Sequence, residues 1–98
     1  MRNTLNFKRN EISIEYFEES IRQKNDKISM YNLGHIYFYG KFIKQNIEKS
    51  IELFIQSANQ DFYPSKLLLS LALIKKISSI NTQTISKETS KYGNINTE

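Results

Sequence analysis

Ser29 to Ala58 reads SMYNLGHIYFYGKFIKQNIEKSIELFIQSA, and this stretch decides the fold. Ile28, Leu33, Ile36 and Tyr37 form one apolar stripe that ends at Gly40; Ile47, Ile51, Phe54, Ile55 and Ala58 form a second, broader one. Spacings of three and four residues place such side chains on one face of an α-helix. Gly40 is a good helix-terminating residue, because glycine adopts the left-handed conformation without a Cβ penalty. Asn46 can cap the helix that follows, and Glu48, Lys49, Glu52, Gln56 and Asn59 form its polar outer face. The stretch is therefore predicted to be two helices joined by a short loop.

The same rules extend outward. Asn25 and Asp26 supply turn residues ahead of the first stripe, and before them Ile14, Phe17 and Ile21 recur at helical spacing from a candidate N-cap at Asn10 to about Gln23. Beyond the second stripe, Pro64 suits the first turn of a fourth helix, where its missing N–H has no helical partner. That helix is predicted over 64–78. From Asn81 to Glu98 the chain is Ser, Thr, Asn, Gln and Lys with isolated Ile85, Tyr92 and Ile95, which offers no periodic face to bury. The expected division is an N-terminal extension at 1–9, a helical repeat domain at 10–79 and a polar, flexible, disordered tail at 80–98.

The two halves repeat each other. Ser13-Ile14-Glu15-Tyr16-Phe17 aligns with Ser50-Ile51-Glu52-Leu53-Phe54, and Ser20 with Ser57, at an offset of 37 positions; Ser29 and Leu33 align with Ser65 and Leu69 at an offset of 36. A helix pair recurring at this period is what a helical solenoid looks like in sequence, because each hairpin must stack on the next to cover its apolar face.

Within that frame, Leu33-Gly34, Tyr37, Gly40, Ile43, Asn46, Lys49-Ser50, Phe54 and Ser57-Ala58 resemble the Sel-1-like repeat, a tetratricopeptide-like helical repeat. The family pattern is a Leu-Gly pair, a Tyr, a Gly, an aliphatic residue, an Asp, a Lys-Ala pair, an aromatic and an Ala-Ala pair. Its small positions, here Gly34, Ser50, Ser57 and Ala58, let helices approach, while Tyr37 and Phe54 fill the wedge between them. Phe42 stands where many members have a second glycine, Asn46 replaces the Asp, and serines replace several alanines. In the second copy Ser70 occupies the glycine position, and neither Tyr nor Gly follows at the expected spacing.

The resemblance implies an all-α fold, an α-solenoid of about two antiparallel helix-turn-helix repeats, acting as a non-catalytic protein–protein interaction adaptor or scaffold. If the geometry follows other helical repeats, the groove is lined by the first and third helices, with Glu15, Glu19, Glu52 and Gln56 facing a protein or peptide partner. The alternative is a self-assembling element, or a truncated piece of a longer array, associating through the helix that carries Leu67 to Ile74. Its Leu67, Leu68, Leu69, Leu71, Leu73 and Ile74 surround more than one face, which exceeds what one neighbouring hairpin covers.

Composition narrows the function classes. The chain has no cysteine, which excludes disulfides, thiolate metal sites and thiol nucleophiles. Its net charge of +4 raises nucleic-acid binding as a distant alternative, but acidic residues interleave with basic ones, and Glu15, Glu18 and Glu19 make an acidic patch on the first helix. The three glutamates read as a solvated helix face rather than acid–base machinery, which needs a cleft. His35, the one histidine, has no partner motif and reads as packing. Of the aromatics Tyr31, Tyr37, Phe38 and Tyr39, Tyr37 is expected in the core and the others partly exposed. No phosphate loop, nucleophile elbow or paired-His motif is present, so no enzyme activity, cofactor or metal is expected. The apolar run at Leu67–Ile74 is bounded by Lys66 and Lys75, well short of a membrane span, and residues 1–10 lack the apolar core of a secretory signal. A soluble, intracellular, cytoplasmic protein without a membrane partner is expected.

Overall fold

The computed structural model describes the backbone of residues 2–91 and the side-chain surroundings of residues 9–80. Four α-helices follow one another, α1 (Arg2–Lys24), α2 (Lys27–Tyr39), α3 (Ile47–Ala58) and α4 (Tyr63–Lys91), with no strand among the described residues. α2 packs on both α1 and α3, α3 packs on α4, and α2 touches α4 along a short seam. The backbones of α1 and α3 do not approach each other. The chain is thus an all-helical stack in which α2 and α4 are neighbours on one side and α1 and α3 are splayed on the other.

Local chemistry sets the turns. Asn25 and Asp61, a repeat apart, both adopt the left-handed conformation, with φ of 53° and 63°. Each ends a helix: the Asn25 N–H donates to the Ile21 carbonyl at 2.9 Å and the Asp61 N–H to the Ala58 carbonyl at 2.8 Å. Asn and Asp tolerate this region better than other residues with a Cβ. Asp26 then caps α2, accepting from the Ile28 N–H at 3.2 Å and from the Ser29 hydroxyl at 2.7 Å. Gly40, at φ +61°, ends α2 and donates to Ile36 at 2.8 Å; a Cβ there would also meet Gln45 at 2.9 Å. The loop folds back on the helix it leaves, because the Gln45 amide donates to the Phe38 carbonyl at 2.8 Å and the Asn46 N–H to the Tyr37 carbonyl at 2.9 Å. Asn46 caps α3 through its side chain, which accepts from the Lys49 N–H at 3.0 Å. Pro64 lies in the first turn of α4, as its chemistry requires.

Two boundaries differ from the sequence reading. Asn10 is not an N-cap but lies inside α1, which already runs from Arg2. Between Arg2 and Arg9 there is neither proline nor glycine to break the helix, so the expected extension at 1–9 continues it. Likewise α4 runs past Ser78 to Lys91, through polar residues that contain no helix breaker, so the segment expected as tail from residue 80 begins helical. Residues 92–98 of that segment lie outside the described residues.

The core is centred on α2. Met30, Leu33 and Ile36 are buried with Leu53 of α3, and Ile14, Phe17 and Ile21 of α1 close over them together with Tyr37, Phe42 and Ile43. Phe54 is fully buried and lies over Gly34, where a Cβ would come within 2.7 Å of its ring. Burying such a ring contributes about 1.5 to 3 kcal/mol. The serines that replace alanine are just as buried and all hydrogen-bonded. Ser57 donates to the Lys27 carbonyl at 2.8 Å and accepts from Ser65 at 2.6 Å, and Ser50 donates to the Ile47 carbonyl at 2.6 Å. No buried side-chain polar atom among the described residues lacks a partner. One member of the expected apolar face, Ile55, is exposed instead, since α3 offers its buried side at Ser50, Leu53, Phe54 and Ser57.

Candidate functional site

Glu15 and Glu19 lie on α1 and Glu52 and Gln56 on α3, all four exposed. The backbones of α1 and α3 do not touch, so the two pairs stand on separate helices on the same side of the stack. Glu19 is engaged along its own helix, accepting from Arg22 and Gln23. The motif residues, by contrast, converge: Leu33, Gly34, Ser50, Phe54 and Ser57 are buried at the α2–α3 seam or its core, and Tyr37, Ile43 and Ala58 are half-buried beside it. Lys49 is exposed. These positions build the fold rather than a ligand site.

The aromatic residues of α2 form two ladders. Tyr31 and Phe38 flank Phe54, with ring centroids 6.3 and 6.4 Å away, and Tyr31 also meets Phe62 edge-on at 5.5 Å. Tyr37 packs against the core, as expected, and Tyr39 is the most exposed of the set. His35 sits between Tyr31 and Tyr39, at 5.9 and 4.6 Å, and lines an open cavity of about 240 Å³ between α1 and α2 with Asn10, Ser13, Asn32 and Lys41. Burial lowers the His35 pKa below its ordinary value, and the Lys41 charge adds to the effect. The imidazole therefore favours its neutral form. Among the described residues no group of His, Asp and Glu is placed to hold a metal ion.

α4 leaves an apolar side exposed. Its inner side, with Ser65 and Ala72 fully buried and Leu68 and Leu69 half-buried, packs on α3, and Lys76 pairs with Glu48 at 3.5 Å. The opposite side carries Tyr63, Leu67, Leu71, Ile74 and Ile77, each between 48% and 65% exposed. The Leu67–Ile74 cluster is legible in the sequence as too apolar for one neighbour; Tyr63 and Ile77 lengthen it and escape notice there because they lie outside the dense leucine run. On α1, Ile12 and Tyr16 are also exposed, at 62% and 64%. They are isolated among charges in sequence, and only the helix geometry places them on one side.

No described helix is long and apolar enough to cross a membrane. Comparison with known families matches the Sel1 repeat to residues 27–62, the segment from the first residue of α2 to the turn before α4. No curated protein and no solved structure matches the chain.

Proposed function

We propose that this chain, which carries a Sel1 repeat at residues 27–62, is a non-catalytic protein–protein interaction module, an adaptor or scaffold, and that it binds through the outer face of α4. Helical repeats of this kind commonly mediate protein interaction, and their stacked helices present extended surfaces rather than enclosed reaction sites. The observation that carries the reading is the uncovered apolar side of α4, from Tyr63 to Ile77. Leaving such a stripe in water forgoes about 25 cal/mol for every Å² that a partner would cover. Lys66 and Lys75 are exposed on the same helix and no acidic residue lies between Tyr63 and Ile80, so a partner with acidic residues flanking an apolar strip fits best.

The test is site-specific photo-crosslinking in cells. A photoreactive residue at Ile74 or Leu67 is expected to give protein adducts, and one at Glu52, on the outer side of α3, is not. Adducts from Glu52 but not from Ile74 or Leu67 would displace the binding surface from α4 and overturn this assignment.

A further inference from the structure

We infer that the occupant of the α4 face is α1 of a second copy of this chain, so that copies join head to tail and continue the stack. This inference rests on the reading of α4 as the binding surface and names its partner.

The repeat itself supplies the geometry. At the offset of 36, α4 corresponds to α2: Leu67 to Tyr31, Ser70 to Gly34 and Ile74 to Phe38. In α2 these positions receive α3, whose Phe54 lies over Gly34 between the rings of Tyr31 and Phe38. In α4 the same positions are open to solvent. α4 therefore presents, uncovered, the side with which α2 accepts a helix.

At the offset of 37, α1 corresponds to α3, and it lacks the opposite contact. Leu53, buried at 6% exposure against α2, becomes Tyr16, exposed at 64%. Ser50 and Ser57, wholly buried in α3, become Ser13 and Ser20, which are only half-buried. The side of α1 that Ile14, Phe17 and Ile21 occupy is already packed on the α2 core. What α1 leaves open is thus Tyr16, the counterpart of Leu53, while Phe17, the counterpart of Phe54, already packs on the α2 core and Ser13 lines the cavity between α1 and α2.

Polar groups match in the same register. Ser57 donates to the Lys27 carbonyl and Gln60 to the Asn25 carbonyl, both at 2.8 Å, across the α2–α3 seam. Their counterparts across two copies are Ser20 with the Tyr63 carbonyl and Gln23 with the Asp61 carbonyl. Charge complements the register. The Gln60 amide also reaches the Met30 sulfur at 3.7 Å; Met30 becomes Lys66 in α4, and Gln60 becomes Gln23, which is bonded to Glu19. Lys66 of one copy, which pairs with Asp61 of its own chain at 3.4 Å, then stands near Glu19 of the next, which pairs with Arg22. More broadly, residues 10–21 hold four glutamates and no basic residue, whereas residues 63–80 hold three lysines and no acidic residue. Ser70 keeps the incoming helix farther out than Gly34 does, so the junction between copies is weaker than the seam within one. Because the two surfaces differ, the contact is heterologous and builds rings or open filaments rather than a closed symmetric pair.

Sedimentation velocity of the full chain over a wide concentration range tests this with complementary variants. Wild type is expected to grow in mass with concentration, and more weakly at high salt. Ile74→Asp, which spoils α4, and Tyr16→Asp, which spoils α1, are each expected to remain monomeric, with circular dichroism confirming that both are folded. Mixed in equal amounts, they retain one intact α4 and one intact α1 between them and are expected to form a heterodimer that grows no further. As a second pair, Lys66→Glu is expected to weaken association and Glu19→Lys to restore it in the mixture. Wild type that stays monomeric throughout overturns the inference while leaving crosslinks at Ile74 to a different protein as support for the broader function. Association that Tyr16→Asp leaves intact points to a contact made without α1, such as α4 with α4, and overturns the inference, as do monomeric variants that fail to complement.

Discussion

Gly34 and Phe54 show how closely single residues set this fold. With the ring 2.7 Å from where a Cβ would stand, Gly34→Ala forces the two helices apart despite alanine's better helix propensity. We expect a loss of about 1 to 3 kcal/mol in a denaturant melt, partly recovered when Phe54→Leu is added, since a smaller side chain removes the clash. Ser57→Ala strands the Ser65 hydroxyl and the Lys27 carbonyl in a buried seam. Its expected cost is about 1 to 3 kcal/mol, and the double variant with Ser65→Ala is expected to cost less than the sum of the two singles. Gly34, Phe54 and the small positions are legible in the sequence because they fall on the pattern of the repeat it resembles. The bonding of Ser57 is not legible, since the Lys27 carbonyl comes near it only when the α2–α3 hairpin closes. Titration adds a pH dependence. Burial lowers the His35 pKa, so the unfolded chain binds the proton more readily than the folded one. Stability is then full above the ordinary histidine value and falls as the pH drops through it towards the lowered one. The Ser29 hydroxyl bond, followed by the backbone N–H bonds, lowers the Asp26 pKa against the opposing effect of desolvation, giving a further loss in stronger acid. Melting temperatures measured between about pH 7.5 and pH 5 are expected to fall for wild type and to fall less for His35→Gln.

At the scale of elements, caps and breakers account for both what the sequence reveals and what it conceals. Asp26, Gly40, Asn46 and Pro64 bracket α2, α3 and the start of α4, and each acts through a bond or backbone angle that its chemistry dictates. Asn46→Ala removes the acceptor for the Lys49 N–H, and we expect it to cost about 1 kcal/mol by thermal or denaturant unfolding. The outer ends of α1 and α4 carry no such marks. Polar residues without proline or glycine read as extension or tail, because nothing in their pattern demands burial, yet they are equally compatible with a helix that continues into solvent. The same limit explains the placement of Glu15, Glu19, Glu52 and Gln56. Their exposure is readable from the polar face of each helix, but the lack of contact between the backbones of α1 and α3 is a tertiary fact that periodicity does not encode. By contrast, the surplus of leucine on α4 is readable as a surface with too few neighbours, and the structure leaves it uncovered.

At the scale of the whole molecule, stability and association belong together. A stacked repeat gains much of its stability from the interfaces between units, and here α4 and α1 each hold one side open. Covering them is expected to raise the melting temperature with protein concentration, whereas a chain that folds without needing those surfaces melts at a fixed temperature. The head-to-tail arrangement turns on α4 of one copy accepting α1 of the next. Adding unlabelled chain to a dilute ¹⁵N-labelled sample and following amide chemical shifts tests it most directly. The expected result is movement concentrated at residues 67–77 of α4 and 12–20 of α1, with the buried α2–α3 seam around Phe54 unchanged. Spectra that do not move, or movement centred on the exposed side of α3 around Glu52, would contradict it.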